Sequence, residues 1–280
     1  MWIFCLGAEI ENENNKEMPV AGENIKVMAQ ALFEARRDLK QIAPLRKTMD
    51  LSSVEAAQAV QEMTTQLWLS EGRRLVGRKI GLTAKAVQQQ MGVNEPDYGV
   101  LWADYAFTEG ETVDIKRFMQ PRAEAEIAFV MENDITDPLA GMQDVIRAIA
   151  YCVPAVEIVD SAIADWDIQL VDTIADNASG GGFALGTGPR RITDIDMRLC
   201  GMVMSRNSHP VSIGAGAACL GHPLNAVLWL ARKMAELGRP IGAGDIILSG
   251  ALGPVVPVDP GDVFSVEIQG FQPLNIGFSA

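Results

Sequence analysis

Three carboxylates stand in stretches that otherwise read as apolar strands. Glu124 and Glu126 lie in the run Pro121-Arg122-Ala123-Glu124-Ala125-Glu126-Ile127-Ala128-Phe129, and Glu157 lies in Pro154-Ala155-Val156-Glu157-Ile158-Val159. Successive strand side chains point to opposite faces, so Glu124 and Glu126 share one face. Like charges at that separation repel, and a buried acid without a partner is costly. The pair therefore has two readings, a bound cation or the solvated face of an edge strand. Glu157, between β-branched residues, is a third lone acid that a helix-then-strand connection returns to the same sheet. Three carboxylates without histidine or cysteine describe a site for a hard cation, Mg²⁺ or Mn²⁺ rather than Zn²⁺ or copper. A 2-oxo or 2-hydroxy acid could chelate such an ion, which would stabilise the charge that develops on enolisation. Proton movement at carbon needs an acid and a base, and Lys79 and Asp97 are the candidates. Each has a plainer reading, as a snorkelling surface lysine and as a turn aspartate.

Other chemistries find little support. His209 falls in a predicted turn and His222 just before a helix, so both read as structural, and no HExxH or Ser-His-Asp order can be drawn. Cys5, Cys152, Cys200 and Cys219 are scattered, without a CxxC pair, as in a reduced cytoplasmic protein. The run Gly180-Gly181-Gly182 allows close approach to a ligand or a plain flexible loop. Gly214-Ala215-Gly216 is not a dinucleotide fingerprint, because Cys219 occupies the third glycine position. A formal charge of −13, from 23 basic and 36 acidic residues, argues against nucleic acid and against an anionic membrane surface. No stretch has the length and purity of a membrane span.

These residues need elements to hold them. Ile25, Met28, Leu32, Ala35 and Leu39 recur at helical spacing, and a second helix begins at a Ser52/Glu55 capping box with Val54, Ala57, Val60, Met63 and Leu67 as its stripe. Residues 1–17 read as a disordered tail, 18–74 as an N-terminal helical arm, and 75–280 as the catalytic domain. In that domain 75–82 is a strand carrying Lys79, Thr83 caps a short helix closed by Gly92, and 94–99 is a turn holding Asp97. Strands follow at 112–115, 123–131 and 154–159, with a helix through Leu139, Met142, Val145, Ile146 and Ile149 between the last two. A hairpin over 199–213, a helix opened by Pro223 and stopped by Gly238, and strands at 245–249, 255–258 and 263–268 complete the chain.

The motifs together are recognisable. Gly77-Arg78-Lys79-Ile80-Gly81-Leu82-Thr83, Gln88-Gln89-Gln90-Met91-Gly92-Val93, Pro96-Asp97-Tyr98-Gly99 and Gln120-Pro121-Arg122-Ala123-Glu124-Ala125-Glu126 closely resemble the 2-keto-4-pentenoate hydratases of the fumarylacetoacetate hydrolase superfamily. So do Asp165-Trp166, Val171-Asp172-Thr173, 175–179, Leu220-Gly221-His222-Pro223-Leu224 and 244–254. The resemblance implies an α+β fold, a mixed β-roll preceded by the helical arm, with Mg²⁺ or Mn²⁺ on Glu124, Glu126 and Glu157. It places Lys79 and Asp97 in catalysis and Leu82, Arg122 and Ser179 against the substrate. It also implies the reaction, hydration of 2-hydroxypenta-2,4-dienoate to 4-hydroxy-2-oxopentanoate in aromatic meta-cleavage. A homo-oligomer is implied, with a pathway decarboxylase or aldolase as a potential associate. Hydrolytic relatives place a His-Glu pair ahead of the metal strand, whereas this chain has no histidine before His209. Rival expectations are a 4-oxalocrotonate-type decarboxylase, a hydratase of a longer dienedioate using Arg78 or Arg122 for the distal carboxylate, and a non-catalytic partner subunit.

Overall fold

The computed structural model describes residues 21–280 apart from Ala86, Val87, Gln90 and Met91, and leaves the side chains of Ala21 and Glu23 undescribed. The tail expected over 1–17 lies outside the described residues, as does part of the helix expected after Thr83. Three helices come first: α1 (Ala21–Arg37), α2 (Leu45–Thr48) and α3 (Val54–Ser70). The cap of α3 is Ser53 and not Ser52, its hydroxyl accepting from the Ala56 N–H at 3.1 Å. Met28, Leu32 and Ala35 of α1 and Ala57 and Val60 of α3 are buried together with Ala162, Ile163, Ile174 and Ala175. The first helices are thus seated on a segment that arrives more than a hundred residues later.

The strands form two sheets. β1 (Leu75–Gly81), β2 (Asp97–Trp102), β3 (Ala106–Thr108), β5 (Arg122–Met131), β6 (Ile149–Val159), β7 (Gly180–Leu185), β10 (Ile246–Leu248) and β11 (Val256–Pro257) make the larger one. Its order is β2-β1-β10-β5-β6-β7-β3, with β11 pairing β5. The smaller sheet runs β4 (Thr112–Val113), β13 (Leu274–Phe278), β12 (Val263–Ile268), β8 (Gly201–Arg206), β9 (His209–Ala215). A buried cluster including Ile127, Phe129, Met202, Met204 and Phe264 unites residues of both sheets, and α6 (Pro223–Glu236) adds Leu224, Val227, Leu230 and Met234. His222 caps that helix, its Nδ1 accepting from the Leu224 N–H at 3.1 Å, which accounts for it structurally.

Several expectations change. Asp97 is the first residue of β2, not part of a turn: pairing with Gly81 on β1 overrides the turn-like composition of Pro96 and Gly99. The strand expected over 112–115 is two residues long and turns into a 3₁₀ segment at Ile115. The helix expected from Leu139 is α4 (Met142–Ala148); Leu139 is 84% exposed, and Ile149 already belongs to β6. The three glycines at 180–182 open β7 rather than a flexible loop. A Cβ on Gly181 would lie 2.7 Å from the Ile158 carbonyl oxygen, so the strand packs too closely for a side chain there. α5 (Leu170–Ala175) and a 3₁₀ turn at Asn177–Ser179 lead into it. Cys152, Cys200 and Cys219 are buried and unbridged. No helix among the described residues is long and apolar enough to cross a membrane.

Candidate active site

Antiparallel pairing of β5 with β6 sets Glu124 directly opposite Glu157 and Glu126 opposite Ala155, so the three acids converge on one patch of the sheet. One carboxylate oxygen from each lies within 4.8 Å of the others. Glu126 and Glu157 are fully buried, and Glu124 is half-buried. β1 brings Lys79 to the same patch, 3% exposed, with Nζ 3.0 Å from Glu157 Oε1. That contact is an ion pair without hydrogen-bond geometry, since both Glu157 oxygens lack a hydrogen-bond partner. Asp97 reaches the group from β2 and is also buried.

The electrostatics follow from four acids around one lysine. Burial, then the Glu157 charge, pushes the Glu124 carboxyl up to about 7, and the same causes raise Glu126 well above the usual carboxylate range. Asp97 is raised chiefly by burial, against the opposing pull of Lys79. Burial alone would lower the Lys79 ammonium, but Glu157, Asp97, Glu124 and Glu126 outweigh it and hold the pKa above its ordinary value. The lysine therefore stays charged. Glu126 receives one fixed donor, the Gly250 N–H at 2.7 Å on Oε2, while its Oε1 is buried without a partner. Orphaned carboxylate oxygens on Glu126 and Glu157, with the Glu124 carboxylate converging on them, fit a divalent cation, which would both neutralise the repulsion and occupy the lone pairs.

Beside this patch opens a cleft of about 130 Å³ whose walls include Leu82, Arg122, Trp166, Ile168, Thr173 and Ser179. All eight residues singled out in the sequence meet at or beside it: Lys79, Leu82, Asp97, Arg122, Glu124 and Ser179 line it, and Glu126 and Glu157 lie with Glu124 in the acid cluster. The Arg122 guanidinium lies 4.0 Å over the Trp166 ring. Arg78 does not join them, because the strand alternation sends it to the other face, 3.7 Å from Asp245. Ser179 Oγ is 3.1 Å from Thr173 Oγ1. Left-handed backbone at Leu82, Trp166, Ala178 and Ser179 shapes much of the wall, at a strain of about 1–3 kcal/mol each. Sequence reasoning did not assign Trp166, Thr173 or the Gly250 N–H a part in the site. Trp166 and Thr173 carry no isolated charge to mark them, and a backbone donor has no side-chain signature at all.

A family model described as Fumarylacetoacetate (FAA) hydrolase C-terminal matches residues 73–278. The chain belongs to the fumarylacetoacetate hydrolase family. Within it, this chain is 54% identical to the "TodF product hydratase" of Pseudomonas putida strain F1, over 91% of this chain and 95% of that one. It is 52% identical to the 2-keto-4-pentenoate hydratase of Paraburkholderia xenovorans LB400, over 90% and 94% of the two chains. Among solved structures, the 4-oxalocrotonate decarboxylase of Pseudomonas putida G7, complexed with magnesium and adipate, superposes with a TM-score of 0.89. That protein is 34% identical, and the match covers 94% of this chain and all of the other. The α+β fold expected from the sequence is that of the fumarylacetoacetate hydrolase family.

Proposed function

We propose that this protein is a divalent-metal-dependent hydratase that converts 2-hydroxypenta-2,4-dienoate and water to 4-hydroxy-2-oxopentanoate. The observation that carries the reading is the convergence of Glu124, Glu126 and Glu157 with Lys79 and Asp97 beside a small cleft, in a chain about half identical to proteins named 2-keto-4-pentenoate hydratase. Glu124, Glu126 and Glu157 would hold Mg²⁺ or Mn²⁺. When bound, the cation supplies electrophilic stabilisation of the substrate's 2-oxygen as charge develops there.

The chain's own groups do the rest. Arg122, held over the Trp166 ring, receives the substrate carboxylate, and Ser179, with its hydroxyl bonded to Thr173, orients the substrate against Leu82. The 2-hydroxyl proton leaves and a proton is delivered to C5, giving the conjugated 2-oxo-3-enoate. Water then adds its oxygen at C4 and a proton arrives at C3. Asp97, with Oδ1 free of hydrogen-bond partners and its pKa raised, is the group able to alternate between protonated and ionised states in these transfers. Lys79, with Nζ 3.0 Å from Glu157 in the acid cluster, is placed to set its charge beside the oxygen that becomes anionic.

Substrate length is argued from charge. Among the described residues lining the cleft, Lys79 and Arg122 are the cations, and Lys79 is committed to Glu157. That leaves one guanidinium for one carboxylate, which favours a monocarboxylic dienoate over a dienedioate. It also weighs against the decarboxylase reading that the magnesium- and adipate-bound neighbour otherwise favours. We place the catalytic domain at 75–280 and the helical arm at 18–74, in a cytoplasmic homo-oligomer able to associate with a pathway decarboxylase or aldolase. The deciding assay supplies fresh 2-hydroxypenta-2,4-dienoate with Mg²⁺ and follows loss of dienol absorbance. Chelator-sensitive turnover is expected; its absence overturns the hydratase reading, and CO₂ release from 2-oxohex-3-enedioate would support the decarboxylase. Size-exclusion chromatography with light scattering tests the oligomer.

A further inference from the structure

Between α5 and β7 the chain passes through Asn177, Ala178 and Ser179 with φ of 58°, 50° and 52°, three consecutive left-handed residues of which none is glycine. Such a turn persists only where its surroundings over-determine it. Ala178 and Ser179 face the catalytic cleft, whereas Asn177 and Gly180 line a different cavity, of about 220 Å³, on the other side. The turn is therefore backed by open space on that side. Its main-chain bonds hold it to the residues that follow β6 and α5: the Asp160 N–H donates to the Ser179 oxygen at 2.8 Å and the Ser179 N–H to the Asp176 oxygen at 2.9 Å. Neither fixes it relative to β2, the strand that carries Asp97.

Asn177 does. Its Oδ1 accepts from the Val100 N–H at 2.7 Å and its Nδ2 donates to the Val100 carbonyl at 3.0 Å, so one side-chain amide mimics a strand partner for β2. Among the described residues, both hydrogen bonds between the turn and β2 come from this side chain. The neighbouring Gly99 makes room for it: a Cβ there would lie 2.3 Å from the Asn177 carbonyl oxygen, so the approach depends on a missing side chain. We infer that Asn177 is a positioning residue that locks the Ser179 turn to the Asp97 strand, setting the distance between substrate-orienting and proton-transferring sides of the cleft. It touches neither substrate nor the acid cluster. The inference deepens the hydratase reading and rests on it for its kinetic arm.

Asn177→Gly and Asn177→Asp in the full chain test it. Glycine accepts a left-handed backbone freely but cannot clamp, and aspartate can accept from the Val100 N–H but cannot donate to the carbonyl. With Asn177→Gly, kcat should fall by about 100-fold, the scale of an approximately 1 Å misplacement. Mg²⁺ affinity should stay within about twofold, because the three glutamates share no partner with the turn. Hydrogen exchange of the Val100 amide should accelerate, and Asn177→Asp should fall between glycine and the native residue in both readouts. Native kcat and native Val100 exchange in Asn177→Gly would overturn the clamp. Loss of Mg²⁺ binding in parallel with turnover, in both variants, would also overturn it by showing general damage. If the native chain shows no hydratase turnover, the functional reading fails while the exchange measurement still decides the clamp.

Discussion

Gly81 sits where a single methyl group would disrupt the site. A Cβ there would lie 2.2 Å from Asp97 Oδ1 and 3.3 Å from Lys79 Nζ. Gly81→Ala should therefore displace the Asp97 carboxylate and lower kcat by about 100-fold. Metal titration should still give native Mg²⁺ affinity, and native kcat in this variant would remove Asp97 from the chemistry. Glu126→Gln keeps an acceptor for the Gly250 N–H but takes one buried charge from the acid cluster. The variant should lose the Mg²⁺-induced rise in Tm while its metal-free Tm stays at or above that of the native chain. A fall in metal-free Tm would instead mark Glu126 as a structural acid. Lys79→Ala should lose turnover, in the range of about 10²–10⁴-fold typical of a removed proton-transfer or charge partner. Steady-state kinetics of that variant with Mg²⁺ supplied at saturation measures the effect.

At the scale of elements, Arg36 fastens α1 to the sheet. Its Nε donates to Asp176 Oδ1 at 2.7 Å, its Nη2 to the Asp160 carbonyl at 2.7 Å and its Nη1 to the Gly180 carbonyl at 3.1 Å. The Asp176 side chain is fully buried and that of Arg36 is 15% exposed, so Arg36→Met strands a charge and should cost about 3–5 kcal/mol in urea unfolding. Adding Asp176→Asn, which removes the charge but keeps an acceptor for the Ala162 N–H and the Ser161 hydroxyl, should recover much of that loss, and no recovery would show that the backbone contacts dominate. The same elements show what could be read in advance. An acid inside an apolar run needs a reason, so residue type and phase marked the glutamate strands and Lys79, while the choice of a cation site over a solvated face came only with the family resemblance. Asp97 was misplaced because Pro96 and Gly99 are turn residues by composition, and only pairing with β1 makes the segment a strand. The glycines of β7 carry the same ambiguity, since a missing side chain looks identical whether it serves flexibility or close packing. β13, with glycine and asparagine between its apolar residues, gave too weak an alternation to be seen.

For the whole molecule, the crowded acids link stability to pH. Glu124 is pushed up to about 7, above its unfolded value, so between roughly pH 4.5 and 7 the metal-free folded chain binds more protons than the unfolded one. Its stability should then decline as pH rises through that window, while a cation requires the ionised carboxylates and reverses the loss. The Tm difference between Mg²⁺-saturated and chelated protein should accordingly widen from pH 5 to pH 8, and a constant gap would contradict the acid cluster as the metal site. The sheet order carries a different consequence. β10 lies between β1 and β5, with Leu248 flanked by Lys79 on one side and Ala128 on the other. A nascent chain emerging from the ribosome thus holds Lys79 and all three glutamates long before the strand that sets their spacing has been made. Until residues 246–250 are translated, Lys79 on β1 has no sheet in common with the glutamates, which β5 and β6 can already pair, so the lysine joins the acids only after β10 is made.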